Sequence, residues 1–124
     1  MDETQAELKI GIGTTEPEKV SLKPQKVKIV GVTIENTKKA KKVVFEVTHP
    51  ESTTPIHLSS VAYLVDRTVK VTGTWLNLDK EGKLQKGSAL VTLLQKLNVN
   101  SIQESVGKEC DTELDKGYLV FKVY

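Results

Sequence analysis

The side chains in this sequence that most readily react or bind metals are two histidines and one cysteine, and their spacing matches no established site. His49 and His57 flank a proline-containing loop and lack the HxxH or HExxH spacing that places two imidazoles on one metal ion. Cys110 occupies an inward position of a predicted strand, where a thiol packs as a small apolar group. We therefore predict a protein that is not an enzyme, with no catalytic residues, no metal ligands and no cofactor.

Lysine is the residue type whose distribution points to a binding function. Residues 19–42 contain eight lysines and one glutamate, a local charge of +7, whereas the whole 124-residue chain has a net charge of +2. A local excess of this size attracts polyanions, and it also keeps a small sheet protein soluble, so both interpretations remain open. Arg67 is the only arginine, which argues against sequence-specific reading of duplex DNA.

Trp75 is the aromatic residue best placed to stack on a nucleic-acid base. It lies in a predicted strand just before a polar turn, and stacking on such rings is how single-strand binders hold unpaired bases. Burial of the same ring in the core is the alternative interpretation. The candidate nucleic-acid-binding residues are Lys26, Lys28, Lys38, Lys39, Lys41, Lys42 and Trp75.

The strand that must position Lys26 and Lys28 is predicted to bend. Apolar residues occupy odd positions up to Ile29 and even positions from Val30 onward, with Gly31 at the change. This change of phase beside a glycine predicts a β-bulge. Further strands are predicted at residues 43–47, 56–65, 69–78, 108–114 and 118–124, the last two joined by a three-residue loop at 115–117.

The sequence contains one clear amphipathic helix. Ser88 is its predicted N-cap, because a hydroxyl there can accept a hydrogen bond from the first turn. Four leucines at helical spacing then form one apolar stripe, which must pack against the sheet: Leu90, Leu93, Leu94 and Leu97. A capping box at residues 101–104 predicts a single further helical turn that ends at Gly107.

The order of these elements predicts a mainly β fold, an OB-like five-stranded Greek-key barrel whose helix lies between the third and fourth strands. The alternative is a β-sandwich, which leaves the helix without a place. Residues 26–124 form this single domain. Residues 1–25 form an acidic N-terminal arm, predicted to be either flexible or an edge strand, with apolar residues alternating from Ala6 to Ile12.

The second half of the chain carries a family resemblance. It runs from a leucine-rich helix that begins at Gly87, through the strand entry Gly107-Lys108-Glu109-Cys110, to a final hairpin at 117–122. This pattern resembles the C-terminal half of small, mostly uncharacterised phage and archaeal proteins suspected of an OB-like, single-strand-binding role. The resemblance covers residues 69–124. It implies an OB-like fold and a context in replication, repair or mobile elements.

We predict a cytoplasmic protein that binds single-stranded nucleic acid without sequence specificity, through the lysines and Trp75. The sequence shows no secretory signal and no apolar run long enough to cross a bilayer, so we expect no membrane partner. The alternative is a structural or protein-interaction domain that self-associates or binds a protein through a sheet edge or the arm. The arm, whose residues 1–18 have five acids and one lysine, could also lie over the basic segment and compete with a polyanion.

Overall fold

The computed structural model describes residues 22–38 and 40–124, so most of the predicted arm, and Lys39, lie outside the described residues. The described chain is mainly β with one α-helix, as the sequence predicts. The helix α1 spans Ala89–Lys96, and a single 3-10 turn covers Gln103–Ser105. The strands are β1 (Val27–Asn36), β2 (Lys41–Thr48), β3 (Ile56–Leu58), β4 (Ser60–Val65), β5 (Thr68–Gly73), β6 (Glu109–Asp115) and β7 (Tyr118–Lys122).

Strand β1 has the irregularity that its alternation predicts. The register between β1 and β2 shifts between Ile29 and Gly31, which is a β-bulge. At the start of β1, Val27 and Ile29 are buried, whereas Lys28 and Val30 are exposed. The predicted bulge at Gly31 is confirmed, and it bends the strand so that β1 pairs with β2 along its length and with β6 at its start.

The sheet differs from the predicted five-stranded closed barrel. It has seven strands in the order β3-β2-β1-β6-β7-β4-β5, with β3 and β5 at its two edges, and it is not closed. The described strands form this one sheet, not the two separate sheets of the sandwich alternative. The neighbouring strands pair antiparallel except β4 and β7, which run parallel.

The sheet has more strands than predicted because the expected strand at residues 56–65 divides at Ser59. Its first part, β3, pairs with β2, and its second part, β4, pairs with β5 and β7. The Ser59 carbonyl instead accepts a hydrogen bond from the Thr74 N–H at 2.9 Å. This division sends β3 to one end of the sheet and β4 towards the other.

Residues 74–76, directly after β5, bring the two ends of the sheet close together. The Val43 N–H donates to the Thr74 carbonyl at 2.9 Å, and the Leu76 N–H donates to the Lys41 carbonyl at 2.8 Å. The contact is an isolated bridge between Lys42 and Trp75, not a ladder of paired residues. The predicted strand 69–78 therefore ends at Gly73. Residues 74–76, which follow it, form hydrogen bonds with β2.

The core is formed by the inner side of the sheet and the leucine stripe of α1. Phe45 and Phe121 meet edge to face, with ring centroids 5.4 Å apart. The four leucines of the predicted stripe are all buried. The Ser88 side chain accepts a hydrogen bond from the Val91 N–H at 3.3 Å, which confirms the predicted N-cap.

The final hairpin is tighter than predicted. Asp115 pairs with Tyr118, so the loop contains two residues, Lys116 and Gly117, and not three. Both have positive φ, 52° and 86°, as a type I′ turn requires. This turn type matches the right-handed twist of the flanking strands, which is why the shorter loop closes the hairpin.

Candidate nucleic-acid interface

The tip of the β1–β2 hairpin holds one end of the lysine-rich segment. The Thr37 side chain donates to the Ala40 carbonyl at 2.7 Å and accepts from the Ala40 N–H at 3.1 Å, which fixes the turn. Lys38 is exposed in this turn, and Lys41 is exposed at the start of β2. Lys39 lies outside the described residues. The turn therefore presents lysines on a short, well-anchored loop.

Trp75 is held beside this tip by the backbone contacts of residues 74–76 with β2. Thr74 is fully buried, and its hydroxyl donates to the Val43 carbonyl. Since neighbouring side chains of an extended chain point to opposite sides, Trp75 is directed outward, and its ring is half-buried. The Lys42 Nζ lies 5.1 Å from the centroid of the indole ring, in a cation–π contact.

Gly73 provides the space in which the ring and the ammonium group lie. A Cβ at this position would be 2.8 Å from Trp75 Nε1 and 3.0 Å from Lys42 Cε. Any larger residue would therefore push the indole or the lysine aside. Sequence reasoning missed Gly73 as a site residue; the available signal was a glycine two positions before the only tryptophan in a predicted strand.

These residues form what we call the tip cluster, which consists of Lys38, Lys41, Lys42, Gly73 and Trp75. It combines positive charge with a partly exposed aromatic face. Glu35 lies directly opposite Lys42 on β1, and this carboxylate lowers the positive potential on one side of the cluster. The indole lies on the other side of Lys42, where a base could stack and its phosphate could meet the lysines.

Lys26 and Lys28 lie at the opposite end of the same hairpin. Lys28 pairs with Thr48, whereas Lys42 pairs with Glu35, seven positions further along β1, about 20 Å away at the usual rise per residue. Glu109 on β6 lies directly opposite Lys28. The structure therefore divides the six described members of the predicted set. It brings Lys42 and Trp75 into contact, places Lys38 and Lys41 at the same tip with Lys41 in the opposite phase of β2 from Lys42, and places Lys26 and Lys28 elsewhere.

The surroundings of Lys26 and Lys28, which we call the base end, are built around His49. This imidazole is buried; its Nε2 donates to the Lys23 carbonyl at 2.8 Å, and its Nδ1 accepts from the Glu51 N–H at 3.0 Å. Both ring nitrogens are thus occupied by backbone groups, and His49 ties the start of the described chain to the loop after β2. A pocket of about 270 Å³ beside it is lined by both lysines and by Glu109.

A second lysine–aromatic pair lies on β7, where Lys122 Nζ is 5.0 Å from the Tyr124 ring. Asp111 is the strand partner of Lys122, and Glu113 accepts a hydrogen bond from the Tyr124 hydroxyl. That hydrogen bond raises the pKa of Tyr124. Two carboxylates beside the pair make this a poor surface for a polyanion, in contrast to the tip cluster.

Three further features of the described chain bear on its chemistry: the Cys110 thiol, possible groups of metal ligands, and a second pocket. Burial raises the pKa of the Cys110 thiol to about 11, so it is protonated at neutral pH. Residues 22–38 and 40–124 contain no group of three His, Cys, Asp or Glu side chains that could hold a metal ion. A pocket of about 550 Å³ between α1 and the loop at 78–84 has mainly aliphatic walls, and its single ionisable lining residue is Lys83.

Comparison with protein families, curated proteins and solved structures found no match to this chain. Neither helix in the described residues has the length and apolar character needed to cross a membrane.

Proposed function

We propose that this protein binds single-stranded nucleic acid without sequence specificity and without catalysis, and that the binding surface is the tip cluster with Lys39. The single observation that supports this most is the position of Trp75, whose outward ring carries the Lys42 ammonium on one side. Stacking on an aromatic ring beside lysines tolerates any base sequence, because every base has a π face and every nucleotide a phosphate.

The connections between the elements support an OB-like assignment within this proposal. The bent β1 pairs with both β2 and β6, the helix lies between β5 and β6, and the last strand runs parallel to β4. An OB-like barrel has a comparable order of strands and helix, with a binding face over its second and third strands. The tip cluster lies on β2 and on the segment that follows β5, close to that position.

Lysine, and not arginine, dominates the proposed surface, which favours contacts to phosphates over readout of base edges. Lys28 is about 20 Å from the Lys42–Trp75 contact and Lys26 lies beyond it, so we assign them no part in holding the stacked base. We further propose a cytoplasmic location, on the basis of the sequence features that predict it. The alternative function remains a structural or protein-interaction domain.

Fluorescence anisotropy with end-labelled oligonucleotides tests the proposal. Single-stranded DNA, single-stranded RNA and duplex DNA are titrated at 50 mM and 200 mM salt. We expect the single strands to bind more tightly than the duplex, and their affinity to fall with salt with a slope of about −2 to −3 on logarithmic axes, from three or four phosphate contacts. Absence of binding to any oligonucleotide at 50 mM salt would reject the proposal and favour the alternative.

A further inference from the structure

The indole edge of Trp75 and the ammonium group of Lys42 lie beside the Cα of Gly73. The point where a Cβ of residue 73 would lie is 2.8 Å from Trp75 Nε1 and 3.2 Å from Lys42 Nζ. The two nitrogens are therefore no more than about 6 Å apart. One oxygen can accept from both, because each N–H···O hydrogen bond spans about 2.9 Å.

Gly73 keeps the space between these donors open to an oxygen atom. An oxygen that approaches from the side of the missing Cβ stops about 3.3–3.6 Å from the Cα, in a Cα–H···O contact. Any other residue places its own Cβ there, 3.0 Å from Lys42 Cε, and displaces one or both nitrogens. The φ angle of Gly73 is not positive, so the backbone itself does not require glycine. Open space, and not a turn, is therefore what glycine provides here.

The indole N–H of Trp75 has no acceptor among residues 22–38 and 40–124. No partly buried residue in these ranges has a buried side-chain nitrogen without a hydrogen-bond partner, so the indole nitrogen reaches solvent. Lys42 Nζ lies 5.1 Å from the centroid of the same ring, and its ammonium group has three hydrogens to donate. Two donors of different types are thus available to one ligand beside Gly73.

The chemistry of these two groups selects the ligand. An indole N–H and an ammonium group donate hydrogen bonds and accept none, so the ligand must supply acceptor oxygens. The charge of Lys42, with Lys38 and Lys41 exposed at the same tip, favours an anion. Glu35, opposite Lys42 on β1, lowers this preference and supplies no donor. A phosphate group meets both requirements, because it combines negative charge with acceptor oxygens.

We propose that the indole N–H of Trp75 and the ammonium group of Lys42 together hold one backbone phosphate of the nucleic acid, against the Cα of Gly73. We call this place the phosphate site. The inference rests on the proposed function, because it names the group of the strand that this part of the tip cluster holds. Trp75 then has two roles: its N–H edge binds a phosphate, and its face stacks on a base.

The indole N–H signal of Trp75 tests the phosphate site in the absence of any base. The chain has one tryptophan, so the ¹H–¹⁵N spectrum of the labelled protein contains one indole signal. Inorganic phosphate at neutral pH should shift this signal saturably, whereas sodium chloride of the same ionic strength should leave it nearly unchanged. Glu35→Gln should strengthen the response to phosphate, because it removes a negative charge beside Lys42.

Gly73→Ala fills the phosphate site with a methyl group. It should abolish the shift with inorganic phosphate and weaken single-strand binding by about tenfold at about 0.1 M salt. The logarithmic salt slope should fall by about 0.7, the contribution of one phosphate contact. Val71→Ala, two residues earlier on the same side of β5, is the matched control and should change none of these quantities. Circular dichroism verifies that both variants are folded.

Trp75→Phe separates the edge of the ring from its face, and it carries the test if Gly73→Ala does not fold. Phenylalanine keeps a face for stacking but has no N–H group. The preference for a phosphodiester strand over a strand with neutral methylphosphonate linkages should fall by about three- to tenfold. Loss of stacking alone lowers the affinity for both strands equally, so an unchanged preference would overturn the inference.

Two results distinguish failure of this inference from failure of the proposed function. If single strands bind but inorganic phosphate leaves the indole signal in place at high millimolar concentration, the inference is wrong and the proposed function stands. If no strand binds, both are wrong, and a shift with inorganic phosphate would then identify the free anion as the ligand of the phosphate site.

Discussion

The two ends of the β1–β2 hairpin carry the same basic residue type but differ in what surrounds it. At the tip, Lys42 lies over the partly buried ring of Trp75, in a space that Gly73 leaves open. At the base, Lys28 lies opposite Glu109, beside a buried histidine whose two nitrogens hold backbone groups. The number of lysines along the chain therefore does not locate the proposed binding surface, because the neighbours of each lysine determine whether a polyanion can approach it.

The largest difference between the two ends is expected from removal of their lysines. Alanine at Lys38, Lys39, Lys41 and Lys42 should weaken single-strand binding by about 10²- to 10³-fold at 0.1 M salt, because each lost phosphate contact removes about 0.7 from the logarithmic salt slope. The matched control Lys26→Ala, Lys28→Ala should change affinity by less than about threefold. Anisotropy titrations measure both. An equal loss of affinity in the two variants would show that the two ends of the hairpin contribute equally to binding.

Replacement of the aromatic ring at the tip is expected to have the next largest effect on binding. Trp75→Ala should weaken binding by about 5- to 150-fold, which corresponds to the 1–3 kcal/mol that stacking of one base contributes. Trp75→Phe keeps an aromatic face and should recover part of this loss. An unchanged affinity in Trp75→Ala, with the fold intact by circular dichroism, would show that the ring has only a packing role.

Substitutions at the base end should change the free energy of unfolding, whereas substitutions at the tip should change the affinity for nucleic acid. His49→Ala removes one buried donor and one buried acceptor that serve Lys23 and Glu51, and should lower the free energy of unfolding by about 1–3 kcal/mol. The exposed His57→Ala should change it by less than about 0.5 kcal/mol. Urea unfolding measures both values. A loss of oligonucleotide affinity in a folded His49→Ala protein would contradict the structural role of the base.

Cys110 gives the base end a small dependence of stability on pH. The thiol lies on β6 opposite Val27, and burial raises its pKa to about 11. Because the folded state disfavours the thiolate, its contribution to stability is complete below the ordinary thiol pKa and is lost as the pH rises towards 11. The parent should lose about 1–2 kcal/mol more than Cys110→Ala between pH 8.5 and pH 11. Parallel pH profiles for the two proteins would contradict this.

Local features of the fold followed directly from the sequence. The change of alternation at Gly31, the serine N-cap and the leucine stripe of α1 each depend on residues within one or two turns or on one strand, and the structure confirms all three. The mainly β character could be predicted for the same reason. The division at Ser59 could not, because it depends on a hydrogen bond from Thr74, fifteen positions away.

The candidate site was only partly predictable from the sequence. The lysines and Trp75 were identifiable from residue type, but their grouping depends on the contact of Trp75 with Lys42, which is made across two strands and a long connection. The 20 Å between Lys28 and Lys42 likewise depends on the register of β1 with β2. Residue type indicates what a side chain can bind, whereas pairing between distant strands determines which side chains act together.

The most direct test of the account is the intrinsic fluorescence of Trp75, the only tryptophan in the chain, during titration with unlabelled single-stranded oligonucleotide at 50 mM salt. We expect saturable quenching that is reversed by added salt. It should be preserved in Lys26→Ala, Lys28→Ala and lost in the variant in which Lys38, Lys39, Lys41 and Lys42 are alanine. Binding detected by anisotropy with unchanged Trp75 fluorescence would contradict the account, because the nucleic acid would then occupy a surface other than the tip cluster.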